Sequence, residues 1–169
     1  MNVHRFARIV LALATTVTLA AGPAGAAKRP PTELLGVRLD MPEHEVQRRL
    51  LRIGTVVAGA GTPKQSWALR NRRYGYLVVR YGPDWRVRWV TGFARKEGRR
   101  IRYGDIADLK DAQRSGYYIF TWYVTPPDGG ERYLVSARGS DSLYVSSVSL
   151  SRGGTRSSVP SAAPADTSE

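Results

Sequence analysis

Apolar and polar residues alternate with a period of two from Trp67 to Arg102, as in strands that bury one face. Gln65 to Arg70 and Tyr74 to Tyr81 read as two strands separated by a turn at Asn71-Arg72-Arg73. Gly82-Pro83-Asp84 turns the chain again, and Trp85 to Arg95 is the third strand. On it Trp85, Val87, Trp89, Thr91 and Phe93 share one face, while Arg86, Arg88 and Val90 share the other. Three large rings on one side predict that this side faces the core and that the arginines face water. Tyr74, Tyr76 and Arg80 also share a parity and leave room for a mixed exposed patch.

The period changes before this stretch. Val46, Leu50 and Ile53 recur at i, i+4 and i+7 and predict a helix. Asp40 or Met41 takes its cap position and Pro42 its first turn, where a missing N–H costs nothing. Glu43 and Glu45 lie where acids favour the helix dipole, Glu45 and Arg49 form an i, i+4 pair, and Gly54 is the stop. A second cycle follows the basic turn Lys96 to Arg102. Asp105 to Arg114 has helical spacing through Ile106, Leu109 and Gln113, and Gly116 ends it. Tyr117 to Val124, Glu131 to Arg138 and Leu143 to Ser151 read as strands, with turns at 126–130 and 139–142.

The expected fold class is therefore α+β. An antiparallel sheet carries two short helices on one face, in the order helix, three strands, helix, three strands. Each cycle, about 33–95 and 96–151, is marginal for a separate domain, so one domain over 33–151 is expected. Pro30-Pro31 makes residues 27–32 an extended linker. Residues 152–169 are rich in Gly, Ser, Pro, Ala and Thr without periodicity and predict a disordered tail.

The first 26 residues change the compartment. Arg5 and Arg8 precede an apolar run of 13 residues, Ile9 to Ala21, and Ala24-Gly25-Ala26 fits a small-residue cleavage site. This is the pattern of a secretory signal peptide, and the run is too short for a bilayer span of roughly 20 residues. The protein is expected to be exported, to the periplasm or beyond the cell. The chain has no cysteine, which excludes disulfides, thiol catalysis, iron–sulfur clusters and cysteine zinc sites.

The formal net charge is +12, and 11 of the 26 basic residues fall between Trp67 and Arg102 against two acids, Asp84 and Glu97. Such a field attracts an acidic protein or another anionic envelope component. Arg70, Arg80, Arg86 and Arg88 are the candidate binding residues on the outer face of the sheet. Nucleic acid is the less favoured partner, because rings and arginines alternate along the third strand and export removes the protein from it.

Catalytic patterns are weak. His44 lies between Glu43 and Glu45, but neighbours on a helix point about 100° apart and do not converge. Asp105, Asp108 and Asp111 lack the glycine-containing loop that calcium sites use. Gly139-Ser140-Asp141-Ser142 has no nucleophile-elbow pattern and no following histidine. No catalytic residue, metal or cofactor is assigned, and the expectation is a non-catalytic binding protein. The alternative is a small secreted hydrolase whose site carries no recognisable motif.

Leu35-Gly36-Val37-Arg38-Leu39-Asp40-Met41-Pro42-Glu43-His44-Glu45-Val46-Gln47-Arg48-Arg49-Leu50 resembles the opening of small periplasmic domains of the SmpA/OmlA (BamE-like) kind, which share a fold with beta-lactamase-inhibitor protein. Gly36, Met41, Glu45, Val46 and Leu50 match in kind. Pro42 stands for the usual Ser or Thr and Asp40 for the second glycine, and the Leu-Gly-x-Pro ending is absent. The resemblance implies a non-enzymatic binding role, in envelope assembly or as an inhibitor. It assigns no binding residue, and the cysteine that anchors the assembly members to lipid is missing.

Overall fold

The computed structural model describes residues 27–97, 100–126 and 129–152. The leader read over 1–26 and the tail beyond Arg152 lie outside the described residues. One α-helix, α1 (Glu43–Leu50), precedes four strands, β1 (Gly54–Ala58), β2 (Lys64–Leu69), β3 (Tyr74–Tyr81) and β4 (Val87–Ala94). A two-residue strand β5 (Ile101–Arg102) and two 3-10 turns (Tyr103–Asp105 and Leu109–Asp111) lead to β6 (Gln113–Gly116), β7 (Ile119–Val124), β8 (Tyr133–Gly139) and β9 (Tyr144–Arg152).

The strands form one antiparallel sheet in the order β1-β2-β3-β4-β9-β8-β7-β6. Two four-stranded meanders are thus joined back to back through β4 and β9. Strand β5 pairs with the start of β9, opposite Val145 and Tyr144, and so takes up beside β9 where β4 leaves off.

This architecture corrects the α+β expectation of two helices on a sheet. The segment Asp105 to Arg114 is not a helix. The Asp105 carboxylate accepts the Arg102 N–H at 3.0 Å, and that of Asp108 accepts the Lys110 N–H at 3.2 Å. Each aspartate closes a short turn with its own side chain, in competition with i→i−4 bonding. Tertiary bonds fix the result: the Asp108 carbonyl accepts Trp122 Nε1 at 2.8 Å and its N–H donates to Lys28 at 2.9 Å. Ile106 and Ala107 are buried, whereas Leu109, expected on the core side, is exposed.

The core lies on one face. Trp67, Leu77, Val79, Val90, Leu150, Val135 and Trp122 are opposed in register across the strands and buried. Val46 and Leu50 of α1 join the same cluster, as does Ile106 from the connecting turns. Gln65 is fully buried within it. Its amide donates to Glu43 at 2.5 Å and its oxygen accepts the Tyr81 hydroxyl at 3.3 Å, so the polar group enters the core with partners.

Strand β4 departs from simple alternation. Tyr81 pairs with Val87 and Arg80 with Trp89, so Arg88 is an extra residue against β3. Val87 and Val90 both reach the core, while Trp89, Thr91 and Phe93 turn to the opposite face. The expected assignment of faces is reversed beyond the bulge. Trp85 is not in a strand at all; it sits in the preceding turn at φ 55° and is exposed.

The two readings of β4 separate in one experiment. Val90→Asp, which buries an unpaired carboxylate, is expected to cost more than about 4 kcal/mol. Trp89→Ser is expected to stay within about 1 kcal/mol, since it empties no core position. Urea denaturation of the two variants measures both, and the opposite order of stabilities would mean that Trp89 faces the core.

Candidate functional site

The face away from the core forms three rows that cross the strands. Registered pairs define the middle row as Ser66, Val78, Thr91, Ser149, Ser136 and Thr121. On one side run Lys64, Arg80, Trp89, Ser151, Leu134 and Tyr123, and on the other Ala68, Tyr76, Phe93, Ser147, Arg138 and Ile119. Adjacent strands lie about 4.8 Å apart and same-face residues about 6.8 Å apart along a strand. The arrangement is a shallow trough with a floor of small side chains.

Hydroxyl pairs knit the floor together. Thr91 Oγ1 and Ser149 Oγ are 2.5 Å apart, Thr121 Oγ1 and Ser136 Oγ 3.3 Å, and Ser115 donates to Thr121 at 3.1 Å. Cross-strand pairs of this kind hold a flat polar surface without charge. The walls carry rings and cations. Tyr76 and Phe93 meet edge to face at 6.4 Å, and the Arg80 guanidinium lies 5.5 Å from the Trp89 ring. Tyr76, Phe93 and Tyr123 expose 36%, 40% and 57% of their surface.

Charge on this face has one sign. Lys64, Arg80 and Arg138 point outward from it and are exposed, and Arg102 of β5 lies opposite Tyr144 at the same side. None of the described strand positions on this face is Asp or Glu.

The four arginines singled out by sequence do not act together. Arg80 is on the trough wall. Arg70 follows β2, exposed, with its backbone N–H bonded to Ile53 O at 2.7 Å. Arg86 lies in the turn before β4 and Arg88 at the bulge of the strand itself, both at Asp40. The Arg86 guanidinium donates to the Asp40 carbonyl at 2.9 Å. Arg88 bridges Asp84 at 2.7 Å and Asp40 at 3.3 Å. The Arg88 charge is met by these carboxylates, whereas Arg86 is exposed and has only the carbonyl as acceptor. Sequence reasoning missed Lys64, Arg138 and the outward rings Trp89, Phe93 and Tyr123. The alternation Ser147-Val148-Ser149-Leu150-Ser151 was the visible sign of a hydroxyl face.

Asp40 also anchors a second feature. Its carboxylate pairs with Arg152, which pairs with Glu131 as well. These residues, with Arg38 and Tyr133, line a cleft of about 590 Å³. The Tyr133 hydroxyl is buried there without a hydrogen-bond partner among the described residues. The Asp40 and Glu131 carboxylates are both engaged by arginine, so neither stands ready as a general base. His44 is exposed on α1, and its flanking acids are occupied: Glu43 by Gln47 and Gln65, Glu45 by Arg49. The described residues contain no group of three His, Cys, Asp or Glu placed to hold a metal ion. None of the described helices is long and apolar enough to cross a membrane.

No family model matches the chain, and no curated protein or solved structure matches it either.

Charge reversal separates the two kinds of arginine. Arg88→Glu places a third carboxylate beside Asp40 and Asp84 and is expected to lower stability by about 1–2 kcal/mol, the partly exposed site limiting the effect. Arg80→Glu is expected to stay within about 0.5 kcal/mol. Thermal and urea unfolding of both variants provide the comparison, and equal losses would contradict the distinction.

Proposed function

We propose that this is an exported, non-catalytic binding protein that engages an acidic protein through the trough of its sheet. The observation that carries this reading is the one-signed face: exposed cations and rings around a hydroxyl floor, with no carboxylate among the described strand positions. A surface of this kind attracts an anionic partner over distance and rejects cationic ones. The rings supply contact area at small entropy cost, and arginine pairs bidentately with carboxylates. The floor is uncharged, with Ser66, Ser136 and Ser149 half-buried and Thr91 and Thr121 buried and bonded to the neighbouring serines, so contact with it desolvates no charge.

Binding rather than catalysis is supported by the engagement of two of the three cleft carboxylates, Asp40 and Glu131, with arginine; Glu33 is the third. The resemblance of residues 35–50 to the SmpA/OmlA kind points in the same direction, toward a partner-binding role in the cell envelope. Arg80 is kept from the four arginines proposed on sequence grounds, and Lys64 and Arg138 join it. Arg86 and Arg88 act on the fold at Asp40, and Arg70 stands beyond the trough.

The test is capture from an envelope extract, followed by calorimetry with the purified partner at low and high salt. A single acidic protein is expected. Its affinity should fall at least about tenfold between 50 and 500 mM salt and again in Lys64→Glu/Arg80→Glu/Arg138→Glu. A partner whose affinity is indifferent to that variant would remove the trough from the account.

A further inference from the structure

The two most exposed large apolar side chains among the described residues are Tyr117, at 86%, and Leu143, at 63%. Both sit at hairpin tips, not on the sheet. Tyr117 and Tyr118 form the β6–β7 turn, and Leu143 ends the β8–β9 turn. The tips are bonded side by side. Gly139 N donates to Tyr118 O at 3.0 Å, and the Tyr103 hydroxyl lies 2.8 Å from Tyr118 O and 3.2 Å from Asp141 O. A Cβ at Gly139 would meet the Tyr103 oxygen at 2.2 Å, so only glycine permits this approach.

The tips are held stiffly. Tyr118 adopts φ 58°, a strained value for a tyrosine, with its carbonyl gripped as described. Asp141 Oδ1 accepts the N–H groups of Leu143 at 2.8 Å and Tyr144 at 2.7 Å. Those bonds, with Arg100 beside it, hold the Asp141 carboxyl below its usual range, so its charge is already met. Arg100 also stacks 3.7 Å over the Tyr144 ring. Arg102, Arg138 and Arg114 stand exposed around the same corner.

Two apolar tips, held rigidly and ringed by arginine, have the composition of a surface that enters the headgroup layer of an anionic bilayer. Tyrosine favours that boundary, the leucine enters the acyl edge, and Arg102 and Arg138, which have no carboxylate partner among the described residues, meet phosphates, while Arg100 pairs with Asp141 at 3.2 Å. We infer that this corner, Tyr117 and Leu143 with Arg102 and Arg138, docks the protein on an anionic lipid surface. The charge argues for lipid over a second copy of the chain, because two copies would bring their arginines together. The inference shares Arg138 with the trough and takes its two apolar side chains from outside it.

The experiment is sedimentation of the chain from residue 27 to its end, which contains every described element, with phosphatidylcholine vesicles and with 7:3 phosphatidylcholine:phosphatidylglycerol vesicles. Binding to the anionic vesicles is expected to exceed binding to the neutral ones at least about tenfold. Tyr117→Ser/Leu143→Ser should lose about tenfold in affinity with an unchanged urea midpoint, since both side chains are exposed. Lys64→Glu/Arg80→Glu should keep its binding within about threefold. Three results would overturn the inference: no sedimentation with the anionic vesicles, equal binding by the Tyr117→Ser/Leu143→Ser variant, or a larger loss from Lys64→Glu/Arg80→Glu. Self-association that the tip variant abolishes, without vesicle binding, would assign the corner to a second copy and overturn it too.

Discussion

Arg88 as an extra residue in β4 decides which side chains the sheet shows to its surroundings. A slip of one residue exchanges the two faces of a strand. Because Arg88 is absorbed at the bulge, Val87 and Val90 both reach the core, and Trp89, Thr91 and Phe93 line the opposite side. The bulge is held from outside the strand. Asp40 and Asp84 take the Arg88 guanidinium between them, and the segment before α1 runs alongside: Asp40 N bonds Val87 O and Val87 N bonds Met41 O. The entry to the helix and the face of the sheet are therefore fixed by the same contacts. Asp40 adopts φ 62° in doing so, a cost that three arginines around it offset.

This arrangement sorts charge by place. Carboxylates gather where turns and helix ends need them: Asp40 and Asp84 at the bulge, Asp105 and Asp108 at the 3-10 turns, Asp141 at a hairpin, Glu43 and Glu45 in the first turn of α1. Each meets a cation or a backbone N–H, or sits where the helix dipole favours it. The strand positions facing away from the core receive none. The sheet face thus carries cations alone, Lys64, Arg80, Arg102 and Arg138, among the described strand positions.

Much of this was legible in the chain and some of it was not. The helix at 43–50 is local: its acids and its apolar pair Val46 and Leu50 act within two turns and the structure has it there, although Pro42 takes the N-cap in place of Asp40 or Met41 and Ile53 lies beyond its end. Strands with strict alternation, such as Ser147 to Ser151, likewise show their faces directly. The segment 105–114 has the same apolar spacing as a helix, but Asp105 and Asp108 bond to nearby N–H groups, and a bond from outside the segment, Trp122 Nε1 to Asp108 O, fixes the outcome. Periodicity does not carry that bond. The bulge in β4 is hidden for a related reason. Nothing between Trp85 and Phe93 announces an extra residue; the partner that stabilises it, Asp40, lies more than forty positions earlier. Arg88 looked like surface charge because one of its two carboxylates, Asp40, lies 48 positions earlier.

Placement of the two surfaces bears on how they would work together. The trough floor runs through Ser149, Ser136 and Thr121, perpendicular to the strands, whereas Tyr117 and Leu143 project beyond the strand ends. A bilayer touching the tips meets the sheet edge-on in this quarter and leaves the trough facing sideways into solvent. The rigid turns matter for that orientation. Freely moving tips would dip into the headgroup layer at many angles, but the grip on Tyr118 O and the Asp141 cap allow few. The side chains that favour lipid and those that favour an acidic chain are thereby presented in different directions. The two partners would contend only for Arg138, the trough-rim cation that a membrane carrying negative charge would draw toward its surface.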